Sequence, residues 1–203
     1  MRNASEKLVL ASASPRRREL LMEAGFTFEI ARPQGAESES TELSMRELTT
    51  LNATRKAFEI AREFADAVVL AADTLVSLEG NVISKPVDFA DAISIIQRLR
   101  GRTHQVCTTV FICASAAAKT TSFFVVSHVT FRRLDDAAIV RYLEKINPLD
   151  KAGAYAAQGN GAEIIESIRG SYTNIVGLPM EETIRALRDF NVEPQNYSLG
   201  ATR

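Results

Sequence analysis

Cysteine and histidine are scarce in this 203-residue sequence, which contains two of each. Cys107 and Cys113 lie in a run typical of a β-strand, so we interpret them as small apolar residues and not as a disulfide or zinc site. His104 and His128 also fall in strand-like runs, far apart in the chain. The sequence therefore predicts neither an HExxH zinc enzyme nor a histidine-based nucleophilic triad.

A surplus of positive charge is missing as well. Lysine and arginine together number 24, aspartate and glutamate number 25, and the formal net charge is -1. Proteins that bind nucleic acid through its backbone phosphates usually carry a clear positive surplus. The charge balance therefore argues against nucleic acid as a partner.

Long apolar runs are absent from the sequence. None approaches the roughly 20 residues that a membrane-spanning helix needs. Residues 1–7 are short and polar, and 8–10 are too few for the core of a signal peptide. We therefore expect no membrane partner and a cytoplasmic location. The hydrophobic content of 46% allows a sizeable core. We predict one domain over 1–203, with its core at about 7–190 and a loose tail after Pro194.

Strands and helices alternate over the first half of the chain, and strands cluster in the middle. This order indicates an α/β fold with a mixed central sheet and flanking helices. The apolar run 67–72 predicts a strand buried on both faces, and 76–83 predicts a hairpin. The other predicted strands are 7–11, 26–31, 103–114, 122–131 and 162–168; the predicted helices are 15–24, 45–64, 89–100, 135–145 and 180–190, with a turn at 170–179.

The longest predicted helix begins with a capping-box pattern, Ser44 followed by Glu47. Lys56 lies off its apolar stripe, where it would face either a cleft or bulk water. The stripe is predicted to contain Leu48, Leu51, Phe58, Ala61 and Ala65.

The segment Ser12-Ala13-Ser14-Pro15-Arg16-Arg17-Arg18 is the least expected local pattern. Ser14 before a proline predicts the start of a helix, which places three arginines in its first turn. Cations there are unfavourable by about 0.3–1 kcal/mol each, because this end of the helix dipole is positive. Free backbone N–H groups with guanidinium groups make a strong polyphosphate site. The alternative is three solvated arginines beside a carboxylate such as Glu19, and the residues alone leave both open.

Asp73 follows the apolar run 67–72. We therefore expect a carboxylate at the end of a buried strand, where α/β proteins place their ligand sites. Carboxylate oxygen also suits Mg²⁺, a hard cation that binds carboxylates, water and phosphates. The alternative is that Asp73 caps a turn together with Thr74; we favour the functional interpretation.

Four further polar residues are weaker candidates. Lys85 is held extended by the following proline and could reach a phosphate, although most such lysines are simply on the surface. Glu37 and Glu39 lie in a polar loop, where lone acids are usually solvated. Gln158 lies in a loop of small residues, 150–159, and offers both a donor and an acceptor to the edge of a base. An ordinary tight loop is the alternative for that segment.

Taken together, these segments resemble the Maf family of nucleoside triphosphate pyrophosphatases over nearly the whole chain, from Leu8 to about Phe190. No GxxxxGK[ST] or GxGxxG loop is present to suggest another nucleotide-binding family. The family pieces appear in order: Leu10-Ala11-Ser12-Ala13-Ser14-Pro15-Arg16-Arg17, Ala72-Asp73-Thr74, Lys85-Pro86, Gly101-Arg102-Thr103-His104-Gln105-Val106, Asp150-Lys151-Ala152-Gly153-Ala154-Tyr155, Gln158-Gly159 and Val176-Gly177-Leu178-Pro179.

The resemblance implies a fold like that of inosine triphosphate pyrophosphatases, with two lobes around a cleft and often a dimer. It also implies metal-dependent hydrolysis of a nucleoside triphosphate to the monophosphate and pyrophosphate. Asp73, Lys56 and Lys85 would be the catalytic residues, with Asp73 as proton acceptor. Glu37 and Asp73 would hold the divalent metal, Mg²⁺ first, with Mn²⁺ or Co²⁺ as alternatives. The substrate-binding residues that it implies are Ser12, Ser14, Arg16, Arg17, Thr74 and Gln158.

Arg16 and Gln158 look like the branch of the family that acts on dTTP and UTP. The 7-methyl-GTP branch usually carries a bulky aromatic residue at the first position and an acid at the second. Two departures concern the site. Ala36 stands where the family loop often has an acid before Glu37, a place that Glu39 could fill, and Ala157 replaces a larger aliphatic residue.

Two alternative functions remain: a nucleotide-binding regulator of cell division without turnover, and a purine-specific pyrophosphatase.

Overall fold

The computed structural model describes residues 6–195, so the part of the predicted tail from 196 onward lies outside the described residues. Its strands are β1 (Leu8–Ala11), β2 (Glu29–Ala31), β3 (Val68–Leu78), β4 (Asn81–Ile83), β5 (Thr103–Ala114), β6 (Lys119–Phe131) and β7 (Ile165–Arg169). Its α-helices are α1 (Pro15–Glu23), α2 (Met45–Ala61), α3 (Phe89–Leu99), α4 (Asp136–Leu143), α5 (Tyr172–Val176) and α6 (Met180–Asp189).

The strands described in 6–195 form a single sheet in the order β2-β1-β3-β5-β6-β7, with β4 paired to the far end of β3. β1 is parallel to β2 and to β3, whereas β3, β5, β6 and β7 pair antiparallel. Helices pack on the sheet, so the predicted α/β class with a mixed central sheet is confirmed.

One edge of β3 has a gap in its pairing. β1 pairs with β3 as far as Ala71, and β4 begins to pair at Val76. Between these positions no strand of the described chain lies on this side of β3, while β5 pairs without interruption on the other side. The prediction that Asp73 ends its strand is therefore wrong. The strand continues to Leu78 because β5 supplies hydrogen-bond partners past the point where β1 stops.

The start of α2 is confirmed, and its predicted buried face is wrong in part. The Ser44 side chain accepts from the Glu47 N–H, and the Glu47 carboxylate accepts from the Ser44 N–H. Leu51 is 39% exposed and Phe58 is 46% exposed, although the sequence predicts both in the buried stripe. The inward face instead contains two polar residues among apolar ones: Leu48, Thr49, Asn52, Ala53, Ala57, Ile60 and Ala61.

Several boundaries differ from the sequence-based expectation. β2 covers only the last three residues of the predicted strand 26–31, and β7 begins three residues after the predicted start of 162–168. Helix α5 occupies part of 170–179, where only a turn was predicted. The Ser171 side chain caps this short helix by accepting from the Asn174 N–H at 3.2 Å.

The core of the described chain consists of three clusters of buried apolar residues. Alternate residues of β1 and β3 face opposite sides, because side chains alternate along a strand. Leu10 and Leu70 pack on the side of α6, and Val9 and Val69 pack on the side of α2. The third cluster joins α3 and α4 to the far end of the sheet, around Phe131.

Both cysteines are buried in β5, which confirms the prediction that they are small apolar strand residues. In the described part of the chain, no helix combines the length and the apolar character that a membrane crossing requires.

Candidate active site

A cleft lies at the gap in the pairing of β3. Because the strand edge is open there, side chains from both faces of β3 border it, Asp73 on the side of α2 and Thr74 on the side of α1. The beginning of α1 and the loop 150–158 form its walls. An adjoining cavity shares Arg16, Arg17, Glu37 and Lys85 with the cleft. Ten of the residues singled out from the sequence line these two spaces: Ser12, Ser14, Arg16, Arg17, Glu37, Lys56, Asp73, Thr74, Lys85 and Gln158.

A chain of alternating charges runs through the cleft. Lys56 Nζ lies 2.7 Å from Asp73 Oδ1 and 2.5 Å from Glu37 Oε1. Lys85 Nζ lies 3.2 Å from Glu37 Oε2. The Asp73 side chain is 5% exposed, whereas that of Lys85 is 50% exposed. The inner pair is therefore shielded from water, and the outer lysine remains accessible to a ligand.

The pKa of Glu37 reflects these neighbours. Burial alone would raise it, but the ammonium groups of Lys56 and Lys85 outweigh burial through charge and hydrogen bonds. The net effect lowers the pKa of Glu37 from 4.5 to about 2. Glu37 is therefore ionised throughout the neutral range, as a ligand for a cation requires.

Arg17 is the most deeply buried cation of the cleft, with 9% of its surface exposed. Its Nε donates to the carbonyl oxygen of Gly177 at 2.8 Å and its Nη2 donates to Thr74 Oγ1 at 3.0 Å. Its Nη1 donates to Ser12 Oγ at 3.4 Å. Among the described residues no carboxylate lies within 4.0 Å of this guanidinium, so its partners are neutral oxygens. A buried cation with only neutral partners is an attractive site for an anion.

The three arginines of α1 do not share one environment. Arg17 is buried, Arg16 is partly buried and Arg18 is exposed. Arg16 Nη1 lies 3.5 Å from Asp150 Oδ2, so this pair connects the two walls of the cleft. The sequence left open whether all three arginines serve a phosphate site or all are solvated. In the structure Arg16 and Arg17 border the cleft, whereas Arg18 is exposed to solvent.

The beginning of α1 follows the predicted pattern in all but one detail. Pro15 is the first helical residue, and Ser14 before it is extended. The Ser14 side chain makes no capping hydrogen bond. Its backbone N–H instead donates to Ser12 Oγ at 3.1 Å. Both serines therefore border the adjoining cavity, close to the N–H groups of the first helical turn.

The far wall of the cleft is less charged. It contains Gln158 and Ala157 together with Tyr155, whose hydroxyl lies 2.9 Å from His104 Nε2. Gly153 has φ +72°, and a Cβ there would approach both Val76 and the Tyr155 ring within 3.4 Å. Glycine at this position thus lets the loop lie close against the sheet.

Two residues that sequence reasoning missed lie in or beside the cleft. Asn52 is 3% exposed and its Nδ2 lies 3.4 Å from Asp73 Oδ2. Asp150 pairs with Arg16 and with Lys151. A polar residue inside the apolar face of a helix was the available signal for Asn52, but the predicted stripe had the wrong phase. For Asp150 the sequence offered only a loop acid.

The acids of the cleft are few. Glu37 and Asp73 contact the same ammonium group, whereas Glu39 borders only a neighbouring cavity. Within residues 6–195 no group of three or more histidine, cysteine, aspartate or glutamate side chains could hold a metal ion. Two carboxylates fit Mg²⁺ when the substrate supplies further oxygens, because this ion usually binds one or two carboxylates plus phosphates and water.

Comparisons with known proteins place the chain in a family. A family model described as Maf-like protein matches residues 7–190. A dTTP/UTP pyrophosphatase of Akkermansia muciniphila is 42% identical over 180 residues, which cover 89% of this chain and 94% of that protein. The dTTP/UTP pyrophosphatase of Bacillus pumilus is 42% identical over 188 residues, which cover 93% of this chain and 98% of that protein.

Among solved structures, the Staphylococcus aureus Ham1 protein aligns with 91% of this chain and 97% of its own, with a TM-score of 0.45 and 14% identity. The extent of the family match and the identity to full-length relatives are sufficient to assign the family. This chain belongs to the Maf family.

Proposed function

We propose that this protein is a metal-dependent nucleoside triphosphate pyrophosphatase that hydrolyses dTTP and UTP to the monophosphate and pyrophosphate. One observation carries the proposal: Arg17, a buried cation that has no carboxylate partner within residues 6–195, borders the same cleft as Asp73 and Lys85. Relatives about 40% identical are named for this activity on dTTP and UTP.

The triphosphate tail would occupy the side of the cleft at the start of α1. Arg17 and Lys85 would neutralise its charge, and the free N–H groups of the first helical turn would donate to its oxygens. Ser12 and Ser14 would add hydroxyl groups beside them. Phosphoryl transfer depends mainly on positioning and on neutralising the charge of the leaving group, so the excess of cations over nucleophiles suits this reaction.

Glu37 and Asp73 would hold the divalent ion, with the remaining positions taken by phosphate oxygens and water. When bound, the ion supplies positive charge for the phosphates and lowers the pKa of water in its shell. In the free protein Lys56 occupies both carboxylates. In each carboxylate this contact involves one oxygen, Glu37 Oε1 or Asp73 Oδ1, and a carboxylate has further lone pairs for a cation.

Asp73 would accept the proton of the attacking water. Lys56 Nζ, 2.7 Å from Asp73 Oδ1, would hold this carboxylate in place for the proton transfer. The water would attack the α-phosphorus and pyrophosphate would leave. Arg17 and Lys85 would neutralise the negative charge that develops on the leaving pyrophosphate.

The base of the nucleotide would face the opposite wall. Gln158 can donate to one atom of a pyrimidine edge and accept from another. Arg16 and Thr74 border the space between this wall and the phosphate region. This placement supports the substrate-selecting role that we propose for all three residues.

A substrate panel tests the proposal. dTTP, UTP, GTP and 7-methyl-GTP are each incubated with Mg²⁺, Mn²⁺ or Co²⁺, and pyrophosphate is measured separately from orthophosphate. We expect pyrophosphate from dTTP and UTP. Binding without turnover would favour a regulator, and faster cleavage of 7-methyl-GTP would favour the purine branch. Orthophosphate as the first product would contradict cleavage at the α-phosphorus.

A further inference from the structure

Asn52 joins three parts of the site from a single buried position. Its Oδ1 accepts from the Ser38 N–H at 2.8 Å, and its Nδ2 donates to the Ser38 carbonyl oxygen at 3.2 Å. The same Nδ2 lies within hydrogen-bond distance of Asp73 Oδ2, at 3.4 Å. Both backbone groups of Ser38 are thus fixed by one side chain, and Ser38 directly follows Glu37.

Asn52 and Lys56 lie four residues apart on α2 and therefore share a face of the helix. Each contacts a different oxygen of Asp73, Oδ2 for Asn52 and Oδ1 for Lys56. Each also contacts the loop before α2, Asn52 at the backbone of Ser38 and Lys56 at the side chain of Glu37. Through these two side chains, α2 fixes the position of the Glu37 loop relative to Asp73 on β3.

Asparagine has a cost at this position. It is a weaker helix former than alanine, and burying an amide is unfavourable unless its polar atoms find partners. Here the amide oxygen and the amide nitrogen both have partners. Among the described residues these partners are the Ser38 backbone, in the loop of Glu37, and the Asp73 carboxylate, so this buried amide serves the site.

We propose that Asn52 is a positioning residue that holds the Glu37 loop against Asp73, so that both carboxylates keep the separation that the reaction needs. The inference rests on the proposed function where activity is measured, whereas the contacts of Asn52 with the loop can be tested without turnover. Asn52 itself acts through Glu37 and Asp73 and does not take part in proton transfer.

The first test compares Asn52→Ala with the wild-type protein in pyrophosphate release from dTTP. Small misplacements of catalytic groups and loss of outer partners typically cost about 10- to 100-fold in rate. We expect kcat to fall by this factor with KM within about threefold, because the residues that grip the phosphate tail keep their places. A kcat within about threefold of wild type would overturn the proposal.

Thr49→Val is the matched control. Thr49 lies on the same buried face of α2, but its hydroxyl contacts Thr109 at 2.7 Å and neither the loop nor Asp73. We expect this variant to keep kcat within about threefold of wild type even if it lowers the melting temperature. If both variants lose kcat equally, Asn52 has only a general structural role.

Asn52→Asp separates the two contacts with almost no change in volume. The new carboxylate can still accept from the Ser38 N–H, but it faces Asp73 as a second acid and cannot donate to it. We therefore expect slow amide exchange at Ser38, as in the wild type, together with a kcat lowered about 10-fold or more. A wild-type kcat would show that donation to Asp73 is not needed.

Double variants test whether Asn52 acts through the Glu37 loop. If it does, the loss in Asn52→Ala/Glu37→Gln should be clearly smaller than the product of the two single losses, because both changes disturb the same group. Losses that simply multiply would mean that Asn52 acts independently of Glu37.

Hydrogen exchange supplies a measurement that needs no turnover. In Asn52→Ala the Ser38 amide should exchange faster, since its acceptor is gone. Unchanged exchange would overturn the proposal whatever the activity. If the wild-type protein released no pyrophosphate, the proposed function would fail while the exchange measurement still tested Asn52. If it did release pyrophosphate and Asn52→Ala kept full kcat, only the positioning role would fail.

Discussion

Lys56 contacts two acids at once, and this sharing governs what single substitutions do in the cleft. Its ammonium group lies within 2.7 Å of both Glu37 and Asp73, and its side chain is only 13% exposed. Removing one partner of a buried pair usually costs more than the pair contributed, because the other charge is left without compensation. Substitutions that keep shape and polarity are therefore the informative ones at the residue scale.

Asp73→Asn keeps the size of the side chain and an oxygen that can accept from Lys56, but it removes the charge and the proton acceptor. We expect pyrophosphate release to fall by about 10²- to 10⁴-fold, the usual contribution of a general base. Circular dichroism should show an unchanged fold. Asp66→Asn makes the same chemical change at an exposed residue and should keep wild-type turnover. Unchanged turnover in Asp73→Asn would remove this residue from the catalytic role.

Gln158→Glu tests whether Gln158 recognises the pyrimidine base by hydrogen bonds. An acid can accept but not donate at neutral pH, so one of the two proposed hydrogen bonds to a pyrimidine is lost. We expect kcat/KM for dTTP to fall about 10- to 100-fold relative to that for 7-methyl-GTP. Competition between the two nucleotides measures this ratio directly. Gln105→Glu, the same change on β5, should leave the ratio as it is; a parallel change in both variants would contradict the assignment.

At the scale of secondary-structure elements, α2 and β3 set the geometry of the acids. The capping box fixes where α2 begins, and the helical repeat then places Asn52 and Lys56 on the face toward β3. Pairing with β5 fixes Asp73 from the other side, opposite Thr109. A shift of one residue in either element would turn these side chains away from each other.

Ser44→Ala tests the contribution of the cap. It removes the acceptor of the Glu47 N–H and one hydrogen-bond partner of the Glu47 carboxylate. We expect the free energy of unfolding to fall by about 1 kcal/mol, measured by urea denaturation at neutral pH. Ser44→Thr retains a hydroxyl cap and should lose clearly less. An alanine variant as stable as the wild type would mean that packing alone sets the start of α2.

Local patterns predicted most elements of this fold and missed those that depend on distant partners. The capping box and the apolar run of β3 carry their signals in neighbouring residues. The phase of α2 does not, because Thr49 and Asn52 become buried only where β5 and the Glu37 loop supply partners. Likewise Asp73 looked like a strand end because the continuation of β3 depends on β5, more than 30 residues later in the chain.

The same distinction applies to the candidate site. Resemblance to the family named the residues that the structure brings together in one cleft and its adjoining cavity, including three that sequence position alone left ambiguous: Glu37, Lys56 and Lys85. It did not name Asn52, whose importance follows from buried hydrogen bonds. A motif identifies residues by their type and order in the sequence. A residue such as Asn52 is identified only by its short distances to other side chains in the folded structure.

At the scale of the whole molecule, His104 connects the core to the far wall of the cleft. It is 1% exposed, packs edge-on against Phe131 and Tyr155, and contacts the Tyr155 hydroxyl through Nε2. Its Nδ1 has no hydrogen-bond partner among the described residues. Burial lowers the pKa of His104 from 6.5 to about 4, since the charged form would lose its hydration.

This shift predicts a dependence of global stability on pH. The unfolded chain takes up a proton at this histidine below about pH 6.5, whereas the folded protein does so only near pH 4. Stability is therefore lost as pH falls from 6.5 to about 4, and His104 adds no further loss below that. The difference between the two pKa values corresponds to about 3 kcal/mol as an order of magnitude.

His104→Gln should remove that part of the pH dependence. The variant is expected to be less stable than the wild type at pH 7, because the packing against the two rings changes. The difference in unfolding free energy between the two proteins should then shrink as pH is lowered to 4. Urea denaturation at half-unit steps of pH measures both curves. Parallel curves would contradict the assigned cause.

The residues that border the gap in the pairing of β3 lie on two kinds of structure, which can change independently. Asp73 lies on a strand that ten successive residue pairs join to β5, from Val68 to Ser77, whereas Arg16 lies at a helix end and Gln158 lies in a loop. Loop residues can be replaced without disturbing sheet pairing. Selectivity for a new nucleotide can therefore arise by substitution around the rim, while the hydrolytic machinery beneath it is inherited intact.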